Sequence, residues 1–378
     1  MKIPRHYDLK RFVHPNKVLV IFGPRRVGKT TLLKDYLKDC GLKYRFDSGD
    51  LASVREVFNS DDLKKITEYA AGYELIVIDE AQRIEKIGWG LKILVDHVPG
   101  IRVIVTGSSA FELAGQVGEP LTGRKTTISL FPIAQSELSL MLNQHELREQ
   151  LSSLLVYGSY PEVVTATSQH AKITLLEEIT GSYLFKDILE LDRVRNAKGL
   201  NDLLRLVAHQ VGSEVSLNEL AAQLGMDKNT VARYLDLLEK SFVLFNLRGF
   251  SRNLRKEVTK KSKYYFYDNG VRNAVISNFN ELEKRNDIGV LWENFLIMER
   301  LKSRTYYDVH AQPYFWRTWD QKEIDLIEER EGKLFGYEFK WGNNNIKQPK
   351  DWLQTYSEAS YQVVNKENYL DFLLPPIK

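Results

Sequence analysis

GPRRVGKT (residues 23–30) decides the reading of this chain, because it follows the strand-like run KVLVIF (17–22) at once and runs straight into TLLKDYLKD (31–39). A β-branched apolar run of that length suits a strand buried on both faces, and the stretch behind it has helical spacing. Between them stands Gly-x4-Gly-Lys-Thr, in the strand–loop–helix context that a phosphate-binding loop needs. A loop wrapped around a triphosphate must aim several backbone N–H groups inward, and Gly23 and Gly28 permit the close approach and unusual torsions this requires. The helix opening at Lys29 adds unpaired amides and the positive end of its dipole. Lys29 is expected to meet the β- and γ-phosphates of ATP, and the Thr30 hydroxyl to ligate Mg²⁺. The expected nucleotide contacts are therefore Gly23, Pro24, Arg25, Arg26, Val27, Gly28, Lys29, Thr30 and Thr31. The loop's chemistry does not itself require Arg25 or Arg26.

Working outward, ELIVIDEAQ (74–82) is an apolar strand ending in two acids. Asp79 is placed to hold Mg²⁺ through water, and Glu80 to orient and polarise the attacking water. IRVIVTGSS (101–109) is a third strand, and its small polar end offers Thr106, Ser108 or Ser109 as a sensor of the γ-phosphate; a plain turn would also end this way. KYRFDSGD (43–50) supplies a further strand, followed by a helical connector through 51–72. Strands alternating with helices predict an α/β domain with a mostly parallel sheet.

The runs GPRRVGKTTLL, LIVIDEAQ, VIVTGSSA, LTGRKTTISLFPIAQSE and YGSYPEVV, in that order, resemble a large prokaryotic family of AAA ATPases with a C-terminal domain of unknown function. The resemblance covers nearly the whole chain. It implies an AAA-type three-layer P-loop core with a helical lid. It also implies that Arg124, in LTGR, lies near a nucleotide as a γ-phosphate-sensing or finger arginine, in its own or a neighbouring subunit of a homo-oligomer. A surface arginine in a loop is the plain alternative.

Beyond the core, ELREQLSSLLVYGSYPEVV (146–164) reads as helical, with a turn at Gly158-Ser159-Tyr160 before Pro161. SLNELAAQLGMDKNTVARYLDLLEK (216–240) has helix-turn-helix spacing. Ser216 with Glu219 starts one helix with Leu217, Leu220, Ala221 and Leu224 on one face, Gly225-Met226 makes the turn, and Asp227 caps a second helix carrying Val231, Leu235 and Leu238. The strand-like FVLFNLRGF and KYYFYD flank a basic stretch, RNLRKEVTKKSK (252–263), which completes a winged helix. In a DNA reader, Lys228, Asn229, Thr230 and Arg233 would face the major groove, with the basic wing on phosphate. The same fold also docks proteins.

Near the C-terminus, VLWENFLIMERLK (290–302) is helical and carries Glu293; PYFWRTWDQKEIDLIEER (313–330) and KLFGYEFKWG (333–342) are strands. Period two sets Glu338 and Lys340 on one strand face. Glu293, Asp325, Glu338 and Lys340 together resemble the restriction-endonuclease-like core, in which the acids would hold a second Mg²⁺ and the lysine would handle water. A solvated strand face produces acid–x–Lys just as readily.

The composition agrees with a globular chain: 43% hydrophobic, 27% charged and a net charge of +3, too small to imply nucleic acid unless the positive charge clusters. No apolar run is long enough to span a bilayer, and no secretory signal is visible, so a cytoplasmic protein with no membrane partner is expected. The single cysteine, Cys40, excludes an intrachain disulfide and a Cys-based zinc site. The resulting division is an ATP-binding core over 1–132, a helical lid or connector over 133–199, a winged helix over 200–270 and a restriction-endonuclease-like α/β domain over 271–378. Three functions fit it. The first is an ATPase whose C-terminal half engages DNA. The second is a non-nucleolytic regulator or scaffold binding another protein. The third is an ATP-dependent nuclease.

Overall fold

The computed structural model describes residues 2–108, 118–184, 196–250, 262–318, 322–342, 352 and 356–374, with the side chains of 182–184 left out. Ser109 and most of the basic stretch 252–263, both singled out above, lie outside the described residues. The chain forms two compact units, one built on Arg5–Pro132 and the other on Ile133–Glu239 with the chain from Val243 onward.

The first unit carries a five-stranded sheet: β1 (Lys17–Phe22), β2 (Tyr44–Ser48), β3 (Leu75–Asp79), β4 (Arg102–Gly107) and β5 (Lys125–Ser129), in the order β2-β3-β4-β1-β5. Every pairing is parallel. The central strands are apolar on both sides, as an all-parallel sheet requires. Val18, Val20 and Phe22 of β1 pack with α2 (Ala52–Phe58), α3 (Leu63–Ala70) and α4 (Ile87–His97) through Val54, Phe58, Ile66, Leu91 and Leu94. Leu19 and Ile21 on the opposite face are equally buried, at 1% and 0% exposure. Helix α1 (Lys29–Lys38) starts where Gly28, in a left-handed conformation, ends the loop, and it buries Leu33 and Leu37 one turn apart. Asp62 caps α3 by accepting from Lys64 N and Lys65 N at 2.8 and 3.3 Å.

In the second unit, residues 133–184 are helical, as the sequence leads one to expect: α5 (Gln135–Leu138), α6 (Gln144–Tyr157), α7 (Pro161–Thr165) and α8 (Gln169–Glu178). They dock on the chain that follows β8 (Ser262–Phe266), in particular α12 (Asn269–Val275) and α13 (Ile288–Tyr306). Asn269 and Asn273 donate to the terminal carbonyls of α6, Leu155 and Val156, which would otherwise be orphaned in the core. Asp268 accepts from Ser159 N at 2.6 Å and caps α12 through Val271 N at 3.1 Å. The contact is so close that a Cβ on Gly158 (φ 72°) would overlap the Asp268 carboxylate.

Between these helices and β8 run α9 (Ala197–His209), β6 (Glu214–Val215), α10 (Leu217–Leu224), α11 (Lys228–Lys240) and β7 (Leu244–Gly249). The C-terminal strands are β9 (Gln312–Arg317), β10 (Glu323–Arg330), β11 (Lys333–Phe339) and β12 (Ser360–Val364), followed by α14 (Tyr369–Leu373). The stretches divided at residue 270 in the sequence reading share one sheet of seven strands, ordered β12-β11-β10-β9-β7-β8-β6. Its seam is a short parallel pairing of β7 with β9, Arg248 opposite Tyr314 and Gly249 opposite Phe315.

Candidate functional site

The loop after β1 opens at the carboxyl ends of the parallel strands, where open α/β sheets bind ligands. Its backbone is forced into unusual torsions at Gly23 (φ 151°), Arg26 (φ 60°) and Gly28 (φ 95°). A Cβ on Gly23 would overlap the Leu130 carbonyl oxygen, so only glycine fits there. Lys29 is 5% exposed, and its ammonium donates to the carbonyls of Gly23 and Pro24 at 2.8 and 2.9 Å, folding across its own loop. Pro24 and Val27 are buried, Arg25, Arg26 and Gly28 half-buried, and Thr31 presents its side chain to solvent from the first turn of α1.

Strand β4 separates β3 from β1, yet Asp79 and Thr30 meet: the Thr30 hydroxyl donates to Asp79 Oδ2 at 2.7 Å. Thr106, at the end of the intervening β4, donates its hydroxyl to Asp79 Oδ1 and accepts from Glu80 N at 3.1 Å. It is completely buried and links the two acids, which is a more specific job than the sensor role expected of it. Glu80 itself has φ 52°, a left-handed conformation rare outside glycine and characteristic of strained functional positions. Its carboxylate accepts from Gln82. Ser108 is 3% exposed, and its hydroxyl has no hydrogen-bond partner among the described residues. The donor set around Asp79 and Thr30 is all oxygen, as a hard cation such as Mg²⁺ prefers.

Arg124 stands elsewhere. Its carbonyl accepts from Val18 N, so it lies at the amino end of β1 and β5, roughly 13 Å along the strand from the loop. Its guanidinium donates to Asp96 at 2.6 Å in a surface ion pair. A role for Arg124 in its own chain's nucleotide site is thereby corrected. A neighbour's site is the form of that expectation that still fits.

The helix-turn-helix residues fall as the pattern predicts. Leu220, Ala221, Val231, Leu235 and Leu238 are buried and Leu217 and Leu224 half-buried, while Lys228, Asn229 and Arg233 are exposed and Thr230 is half-buried. Gly225 (φ 60°) makes the turn, and Ser216 accepts from Glu219 N at 3.4 Å.

The C-terminal acids are not a solvated strand face. Asp325 and Glu338 are only 7% and 8% exposed. Asp325 sits in a β-bulge, where Asp325 and Leu326 of β10 face the single residue Phe315 of β9, and bulges re-aim side chains in this way. Its carboxylate accepts from Phe339 N at 2.7 Å, and Lys340 pairs with Glu338 at 2.6 Å. Glu293 from α13 accepts from the Tyr265 hydroxyl at 2.7 Å and lies 3.8 Å from the ammonium of Lys263. Lys263 is 1% exposed and also pairs with Glu323. Glu293, Asp325, Glu338 and Lys340 are therefore neighbours, as expected, and each acid is engaged by a donor of the protein. Among the described residues, no three acidic, histidine or cysteine side chains are grouped to hold a metal ion. Tyr265 and Lys263 engage the Glu293 carboxylate. Lys263 and Tyr265 alternate on β8 and went unnoticed in sequence, because a lysine at the edge of a basic stretch reads as solvent-facing. Burial, then the like charges of Glu293 and Glu338, raise the Asp325 carboxyl well above the ordinary carboxylate range. Burial likewise raises Glu293, against the opposing pull of Lys263 and Tyr265.

Comparison with known proteins adds a frame. Residues 15–139 match the AAA domain family, and residues 148–282 and 288–372 match two families described only as domains of unknown function, DUF8612 and DUF4143. An uncharacterized protein of Mycobacterium tuberculosis is 28% identical over 336 residues, 88% of this chain and 72% of that protein. One from Haemophilus influenzae is 27% identical over 348 residues, 86% of this chain and 83% of that protein. The Holliday junction branch migration complex subunit RuvB of Tropheryma whipplei is 24% identical over 269 residues, 61% of this chain and 75% of that protein. These similarities support a P-loop ATPase core of AAA type. Among the described residues, no helix is long and apolar enough to cross a membrane.

Asp325 provides a test of the buried acidic centre. A carboxyl whose folded pKa is raised stabilises fully below its unfolded value, about 3.9, and that contribution is lost as pH rises toward the folded value. Asp325→Asn keeps the shape and an acceptor for Phe339 N but cannot ionise. In urea unfolding with EDTA present, its stability relative to wild type should therefore improve as pH rises from about 4 toward 8. A difference that stays flat with pH would show that Asp325 ionises in the fold without penalty.

Proposed function

We propose that this protein is a Mg²⁺-dependent AAA-type ATPase whose C-terminal half engages DNA according to the nucleotide bound. The observation that carries the ATPase reading is the chain of contacts Thr30–Asp79–Thr106–Glu80 at the mouth of the loop. Lys29, now folded onto the Gly23 and Pro24 carbonyls, exchanges those partners for phosphate oxygens and neutralises their charge. Thr30 and Asp79 would hold Mg²⁺, which when bound supplies charge neutralisation at the phosphates. Thr106 keeps Asp79 oriented and, through Glu80 N, fixes the backbone from which the Glu80 carboxylate projects. Glu80 then orients the attacking water and accepts its proton. Ser108 donates to a γ-phosphate oxygen. Lys29→Ala should remove most ATP binding, whereas Glu80→Gln should retain ATP and stall hydrolysis. Equal phosphate release by wild type and Glu80→Gln would remove Glu80 from this role.

Arg124 acts in this reading from a neighbouring copy, because its place at the amino end of the sheet keeps it from its own loop. Turnover per subunit should then rise with protein concentration, and Arg124→Ala should flatten that rise while leaving ATP affinity intact. Turnover independent of concentration across the dissociation range would exclude it.

DNA is favoured over a protein partner by the exposed Lys228, Asn229 and Arg233 on a helix whose opposite face is buried, and by the junction-processing name carried by the RuvB relative. Helix α10, the turn at Gly225, α11 and the strands β7 and β8 support the winged-helix reading. The order helix α13, antiparallel β9, β10 and β11, then parallel β12, supports the restriction-endonuclease-like one. Cleavage is not part of the proposal, since the acids that would hold its metal are engaged by Tyr265, Lys263 and Lys340. Binding of duplex DNA to the full chain should weaken steeply with salt, differ between ATP and ADP, and lose its nucleotide dependence in Lys29→Ala. No binding at low salt would favour the protein-docking alternative, and Mg²⁺-dependent cleavage lost in Asp325→Ala would favour the nuclease.

A further inference from the structure

Arg5 precedes β1, and no part of the loop motif calls for it. Its guanidinium donates from Nη1 to the carbonyl of Val27 and from Nη2 to the carbonyl of Phe131, the latter at 2.6 Å. Val27 is the loop residue just before Gly28, and Phe131 follows Leu130, whose N–H donates to Phe22 O at 2.7 Å and whose carbonyl closes on Gly23. One planar cation thus ties the end of the loop to the chain leaving β5. A rigid fork of donors suits that task, and a single ammonium does not.

The consequence lies in peptide geometry. In a trans peptide, the C=O of one residue and the N–H of the next point in opposite directions. Gly28 has φ 95° and no side chain, so the Val27–Gly28 peptide can turn over at little steric cost unless something holds it. Arg5 lies directly alongside: a Cβ built on Gly28 would meet its Nη1 at 3.5 Å. Holding the Val27 carbonyl toward Arg5 aims the Gly28 N–H the other way, into the loop.

We propose that Arg5 is a positioning residue for ATP, which sets the direction of the Gly28 N–H before the phosphate arrives. This rests on the loop being the ATP site. The lost alignment affects ground state and transition state alike, so its removal should raise KM and leave kcat nearly unchanged.

The test is titration of the full chain with a fluorescent mant-ATP, alongside steady-state turnover, for wild type, Arg5→Ala, Arg5→Lys and Lys29→Ala. Arg5→Ala should bind about tenfold more weakly, the scale of one hydrogen bond with a charged partner, with kcat at saturation close to wild type. Arg5→Lys keeps the charge but cannot span both carbonyls, and should fall between the two; it also serves if the alanine variant does not fold. In spectra of [15N]glycine-labelled protein without nucleotide, the Gly28 amide should shift or broaden in Arg5→Ala while glycines outside the loop stay in place. Wild-type affinity in a folded Arg5→Ala, or a lowered melting temperature with unchanged affinity, would overturn the proposal and leave the ATP site standing. Failure of wild type to bind, or equal binding by Lys29→Ala, would instead remove the ATP-site reading, and this proposal with it.

Discussion

The carboxylate of Asp79 is the point on which the first unit's chemistry turns. It accepts from Thr30 on helix α1 and from Thr106 on β4, so two adjacent strands of the sheet, β3 and β4, and the helix after the loop are held at one place. A buried carboxylate is tolerable only when its oxygens are satisfied, and here both are. The same constraint positions Glu80, because the Thr106 hydroxyl also accepts from the Glu80 amide. Lys29 rests on the carbonyls of Gly23 and Pro24, and the Ser108 hydroxyl has no hydrogen-bond partner among the described residues.

The seven-stranded sheet of the second unit treats charge in another way. Glu293, Asp325 and Glu338 are gathered from a helix and two strands, but Tyr265, Phe339 N, Lys263 and Lys340 engage them from within the chain. Desolvation makes such a group of like charges costly, which is why the Asp325 and Glu293 carboxyls are both pushed upward. The first unit satisfies its acid with two hydroxyls, and the second with a hydroxyl, a backbone amide and two ammonium groups.

Several elements were legible because local chemistry alone specifies them. KVLVIF suits a strand buried on both faces, and Gly-x4-Gly-Lys-Thr after it suits a tight turn into a helix, and β1, the loop and α1 sit where that reading puts them. The alternation of apolar and charged residues over 216–240 separated the buried Val231, Leu235 and Leu238 from the exposed Lys228, Asn229 and Arg233 in the same way. The match of residues 15–139 to the AAA domain family agrees with the order of motifs along the chain.

What the sequence by itself determined was therefore the phosphate loop, its two acids, the parallel α/β core and the amphipathic helix pair, all properties of short windows with a strong period or a required torsion. The tertiary structure decided the partners. Arg124 reads as a neighbour of the motifs before it, yet parallel pairing of β5 with β1 carries it to the far end of the sheet. Lys263 reads as part of a basic wing, yet β8 lies inside the second sheet and buries it against Glu293. Arg5 carries no motif at all, and only the folded chain brings it to the carbonyls of Val27 and Phe131. Each of these depends on a contact between residues far apart in the chain, and no local pattern encodes which distant group will arrive to satisfy a buried charge or an unpaired carbonyl.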